Sequence, residues 1–122
     1  MGEALTIRVR REQGYAIVAV AGEVDIATVT RLRERLFELA ASGRTLVVDL
    51  DQVSFVDSAG LAALVGAAKR AEAHGASLQV VCDRPQTWEV FRLAGLDRRL
   101  GLARTRDKAL QALRTRVDRR GP

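Results

Sequence analysis

The stretch Leu46-Val47-Val48-Asp49-Leu50-Asp51-Gln52-Val53-Ser54-Phe55-Val56-Asp57-Ser58-Ala59-Gly60-Leu61 decides the fold. Leu46 to Leu50 form a short, nearly continuous apolar run, the pattern of a central strand buried on both faces. After Asp57-Ser58-Ala59-Gly60 the period turns helical, with Leu61, Leu64, Val65 and Ala68 on one face of a helix that ends near His74-Gly75. Ser58 therefore sits at a strand-to-helix turn. Ala59, Gly60, Ala62, Ala63, Gly66, Ala67 and Ala71 keep the helix slim enough to lie close to a sheet or a partner.

Upstream, Val29, Leu32, Leu36, Leu39 and Ala40 share one face of an earlier helix, with Arg31, Arg33, Glu34, Arg35 and Glu38 elsewhere. Asp25, in Gly22-Glu23-Val24-Asp25, reads as its opening residue and Gly43 as its left-handed cap. Before it, Leu5 to Arg11 alternates in the period of a half-wet strand, and Tyr15 to Ala21 is a more continuously apolar one ended by Gly22. The break at Glu12-Gln13-Gly14 makes these two an antiparallel hairpin. A strand-helix-strand crossover then predicts parallel pairing.

Downstream, Leu78 to Cys82 reads as a strand and Asp83 as the cap of a short helix with Pro85 in its first turn. Trp88, Phe91 and Leu93 are expected to pack inward before Gly95 stops that helix. Leu96 and Leu100 to Leu102 suggest one brief last strand, and Thr105 opens a final helix with Ala109, Leu110, Leu113 and Val117 inward. The expected architecture is α/β: a mixed β-sheet that begins with an antiparallel hairpin, continues with alternating helices and strands, and is covered by helices. With no linker or internal repeat, residues 1–122 form a single domain, with about 118–122 as a frayed tail.

A chain of 122 residues with 48% hydrophobic content can bury one core. Its apolar runs are too short to cross a bilayer, and nothing after Met1 resembles a secretory signal, so a cytoplasmic protein without membrane insertion is expected. The lone Cys82 reads as a core residue. A net charge of +5 raises nucleic acid as a partner. The arginines are spread along the chain, however, and Phe37, Phe55, Trp88 and Phe91 read as core or semi-buried groups rather than a stacking platform. No direct nucleic-acid partner is expected.

Catalysis needs a nucleophile with a base in reach, or a metal with its ligands. The single histidine, His74, lies sixteen residues beyond Ser58, roughly 24 Å along a helix. Val56 stands where a nucleophile elbow has its leading glycine. Asp49, Asp51 and Asp57 are conceivable metal carboxylates, but Asp49 reads better as a strand residue bonding nearby backbone. No catalytic residue, metal ligand or cofactor site is therefore assigned. Two readings of the turn stay open: Asp57 or Ser58 is an ordinary helix cap, or the Ser58 hydroxyl accepts a phosphate beside a helix N-terminus.

In order and spacing, the hairpin, Gly22-Glu23-Val24-Asp25, Leu46 to Leu50, Asp57-Ser58-Ala59-Gly60-Leu61 and Phe91-Arg92-Leu93-Ala94-Gly95-Leu96 resemble the STAS domain of the bacterial anti-sigma factor antagonists. The resemblance implies that an anti-sigma factor, also a serine kinase and the holder of the ATP, phosphorylates Ser58. The unmodified antagonist would bind that partner and free the sigma factor; phosphorylation would release it until a phosphatase restores it. Asp25, Asp57, Ser58, Ala59 and Gly60 become the expected partner-binding residues, with Ala59 and Gly60 keeping the surface low. Related STAS domains serve in lipid-transport and stress-sensing complexes, which are the alternative role. The basic charge, and Arg92, Arg98 and Arg99, depart from the acidic pattern common among such antagonists.

Overall fold

A computed structural model describes residues 5–120, the last seven by backbone alone. Its elements are β1 (Thr6–Arg11), β2 (Tyr15–Val24), α1 (Val29–Ala40), β3 (Thr45–Val56), α2 (Ser58–Ala73), β4 (Leu78–Val81), α3 (Pro85–Leu93) and α4 (Arg106–Arg120). The sheet order is β1-β2-β3-β4, antiparallel at the hairpin and parallel thereafter.

Successive crossovers in one direction place α1 and α2 together on one face, because such connections share one hand. The main core lies there. Leu32 and Leu36 of α1, Leu64, Ala67 and Ala68 of α2 and Phe91 of α3 meet Val18, Val20, Leu46, Val48 and Val80 of the sheet. On the other face Ala109, Leu110 and Leu113 of α4 cover Ile17, Val47 and Val81. Arg106 ties the start of α4 to the sheet by donating to the Asp49 carboxylate at 2.6 Å, while Asp49 also accepts from the Asp51 N–H at 2.9 Å. Asp49 thus bonds nearby backbone, as its place in the strand suggests.

Several elements differ from the sequence reading. Gly22, with φ +113°, does not end β2; the strand runs on to Val24 through two register shifts, at each of which β3 advances one residue more than β2. The extra residues put Ser54 and Phe55 on the outside in succession, so Phe55, expected to be core or semi-buried, lies outside the core with half its surface exposed. Leu93, the last residue of α3, is 72% exposed and packs on nothing inward. Asp83 does not cap α3: Arg84 occupies the N-cap, and the Asp83 N–H donates to Asp51 at 2.7 Å. The expected fifth strand shrinks to one bridge, Val81 to Ala103, because Gly101, in a left-handed conformation, turns the chain. The backbone of α4 continues to Arg120 where fraying was expected from 118; the Val117 side chain and residues 121–122 lie outside the described residues.

Two of the unassigned arginines have structural partners. Arg92 pairs with Glu89 one turn earlier on α3, and Arg99 makes a two-pronged bridge to Glu72 at 2.8 and 3.1 Å, fastening the loop after α3 to the end of α2. Cys82 is fully buried, and burial pushes its thiol pKa up. Thiolate is the reactive form, so native protein at pH 8 is expected to resist alkylation and to be modified only as it unfolds. Mass spectrometry across a urea series checks this; rapid labelling without urea would contradict the buried placement.

Candidate functional site

The parallel pair β2 and β3 ends with Val24 beside Val56, and the Asp57 N–H donates to the Val24 carbonyl at 3.1 Å. This bond carries the chain straight from the sheet into α2. Asp57 then adopts the extended backbone of an N-cap, φ −98° and ψ −175°, and its carboxylate accepts from the Gly60 N–H at 3.0 Å. Of the two capping candidates, Asp57 does the capping. Ser58 becomes the first helical residue, is exposed, and has no side-chain hydrogen bond or ion pair among the described residues.

Asp25 does not open α1 directly. Its carboxylate accepts from the N–H groups of Ala27 (2.9 Å) and Thr28 (3.1 Å), while the Thr28 hydroxyl donates to the Glu23 carbonyl at 2.7 Å. These bonds build a pinned turn, and the helix starts only at Val29. Asp25, Asp57 and Ser58 are brought together at the ends of neighbouring strands, with Ala59 half-buried beside them.

Of the two contacts open to the slim start of α2, sheet or partner, Gly60 makes the one to the sheet. It is buried and faces inward: a Cβ there would lie 2.7 Å from Val24 Cγ1 and 2.9 Å from Val56 Cγ1. It lets α2 approach the strand ends and offers no side-chain position to the outer surface. The sequence reading missed Ile26, which is 82% exposed at the tip of the Asp25 turn. Its signal is an apolar residue between Asp25 and Ala27 that neither the strand period before it nor the helix period after it claims.

Among the described residues, no side chain stands ready to activate Ser58 from within the chain. His74 caps the far end of the 16-residue helix α2, roughly 24 Å away. Asp57 is committed to its cap, Asp49 to Arg106, and Asp51 to the Asp83 N–H. Among the described residues no cluster of three metal-ligating side chains exists, and no helix is long and apolar enough to cross a membrane. The geometry suits an unencumbered hydroxyl acted on from outside. First-turn N–H groups lack intrahelical acceptors, and those of Ser58 and Ala59 have none among the described residues. Added negative charge here would meet a favourable dipole.

Comparison with known proteins follows the same lines. A family model described as the STAS domain matches residues 6–109. An anti-sigma-F factor antagonist, RsfB of Mycobacterium tuberculosis, is 35% identical over 96% of this chain and 97% of its own length. An anti-sigma-B factor antagonist of Bacillus subtilis is 33% identical over 75% of this chain and 84% of its own. Among solved structures, an anti-sigma factor antagonist from Mycobacterium paratuberculosis superposes with a TM-score of 0.84 at 31% identity, covering 93% of this chain and 99% of that one.

Proposed function

The chain belongs to the STAS domain family, and from this we propose that it is a cytoplasmic anti-sigma factor antagonist, a binding protein without catalytic activity. In this reading the unmodified chain binds an anti-sigma factor that is also a serine kinase and holds the ATP, so the sigma factor goes free. Phosphorylation of Ser58 ends the binding, and a phosphatase restores it. The observation that carries the reading is the exposed, unbonded Ser58 hydroxyl on the first residue of α2, with Asp57 already filling the cap.

The chemistry follows from charge. A phosphate adds about −1.5 to −2 charges at neutral pH. On Ser58 they would stand beside the Asp57 carboxylate at the strand ends where Asp25 also lies. A partner site fitted to the neutral hydroxyl, with the nucleotide phosphates directly beside it, would meet a bulky dianion at that point, a local like-charge and steric mismatch that charges further out on the interface do not offset.

The test is to incubate the chain with its anti-sigma factor and ATP and map the product by peptide mass spectrometry. One phosphate is expected, on Ser58. Phosphate on Ser42, Ser54 or Ser77 in its place would overturn the site, and binding without any phosphorylation would overturn the switch.

A further inference from the structure

The exposed apolar side chains of the sheet's Ser58 end are a second feature of the surface, and the antagonist reading does not by itself account for them. Ile26 is 82% exposed and Phe55 50%. Ile26 follows β2 by two residues and Phe55 precedes Ser58 by three, while Val24 and Val56, between them, are paired neighbours. Both apolar groups therefore flank the Ser58 turn at one end of the sheet. An exposed isoleucine is a poor choice for a solvated turn tip, and a large aromatic is a poor choice for an outward strand position unless something covers it.

The turn that carries Ile26 is tied down by the Asp25 carboxylate and the Thr28 hydroxyl. Phe55 is fixed in β3 opposite Glu23. Both anchors are thus held in place before a partner arrives, which lowers the ordering cost of binding. Charge identifies the occupant. In a chain of net charge +5, residues 22–30 and 51–68 contain no Lys or Arg, but they contain Glu23, Asp25, Asp51 and Asp57. Two guanidinium groups stand at the margins, Arg31 on the Leu5 carbonyl and Arg84 on the Val53 carbonyl; they keep their charge, but four carboxylates against two guanidinium groups leave this end of the sheet acidic.

We propose that Ile26 and Phe55 are the partner-selecting anchors of this surface, matched to an anti-sigma factor that presents apolar recesses within a basic surround. The proposal rests on the antagonist reading and adds to it. Ser58 decides whether the complex forms, and Ile26 with Phe55 decide with which anti-sigma factor. Aromatic and aliphatic anchors at the centre of an interface carry a disproportionate share of affinity.

The test uses the full chain and each anti-sigma factor encoded in its own genome, purified singly. Affinities are measured for the wild-type chain and for Ile26→Ser, Phe55→Ser and Leu93→Ser, the last being an exposed apolar control on α3. Kd for the preferred partner is expected to rise on the order of tenfold to a hundredfold in each of the first two variants and to stay within about twofold in the control. Thermal unfolding should be unchanged in Ile26→Ser, whose side chain is 82% exposed, and slightly lowered in Phe55→Ser, whose ring is half covered, so affinities are compared at a temperature where both variants are fully folded. With that partner as kinase, KM should rise while kcat holds, because Ser58 and its cap are untouched. Wild-type-like affinity in Ile26→Ser and Phe55→Ser overturns this proposal and leaves the antagonist reading standing. Failure of the wild-type chain to bind any anti-sigma factor in the panel overturns both.

Discussion

Ser58→Ala should keep the chain bound to its anti-sigma factor in the presence of ATP, under conditions that release the wild-type chain completely. The variant removes a hydroxyl that bonds to nothing among the described residues, at a helix whose cap is supplied by Asp57. Alanine is also the best helix former, so the fold should be unaffected. What disappears is the proposed acceptor for the phosphate. In the proposed switch, modification of the wild type would set nearly two new negative charges against a site fitted to a hydroxyl and lined by the nucleotide phosphates, and such like-charge or mismatched contacts at an interface cost several kcal/mol. A cost of about 3–4 kcal/mol weakens Kd by two to three orders of magnitude. Titration by calorimetry, with and without prior phosphorylation, should show that drop for the wild type and none for Ser58→Ala. A Ser58→Ala chain released by ATP as the wild type is would mean that the switch lies elsewhere.

Gly60→Ala should destabilise the domain although it replaces glycine by alanine inside a helix. The substitution ordinarily gains up to about 1 kcal/mol of helix propensity. Here the new methyl would stand 2.7 Å from Val24 Cγ1 and 2.9 Å from Val56 Cγ1, and both valines are buried. Valine is stiff about χ1, so neither can rotate its methyl away cheaply. Overpacking of this kind costs about 1–3 kcal/mol. The clash involves two rigid groups and should outweigh the propensity gain, for a net loss of about 1–2 kcal/mol and a fall in Tm of roughly 4–8 °C. Combining it with Val24→Ala should cost less than the two changes separately, because the smaller side chain makes room for the new methyl. A Tm equal to or above that of the parent would show that the strand ends give way more easily than their packing indicates.

The features that could be read from the sequence were those written in periodicity. The hairpin, the two amphipathic helices and the buried start of β3 declare themselves through alternation or a 3.6-residue repeat, and Gly14 and Gly43, both with positive φ, mark turns. The Ser58 turn was legible for the same reason: an apolar strand stops and a helical face begins there. What escaped lies where periodicity breaks. The two extra residues in β3 turn Phe55 outward, and a reading that assumes strict alternation cannot see a register shift. Gly60 was ambiguous because a small residue marks either a thin outer surface or a tight inner contact, and only the positions of Val24 and Val56 distinguish them. Ile26 belongs to no repeat at all. Asp25 reads from the sequence as the residue that opens α1, whereas it braces a turn that precedes the helix.

In the proposed switch, closing α2 falls to Asp57 and accepting the phosphate to its neighbour Ser58. Had the serine been the cap, each round of modification would have undone and remade the first turn of the helix, and the response would have waited on that relaxation. With the aspartate holding the helix shut, the proposed mark could be added and cleared repeatedly without internal rearrangement. The response time would then be set by the enzymes that write and erase it, and the protein would behave as a token whose label changes while its body does not.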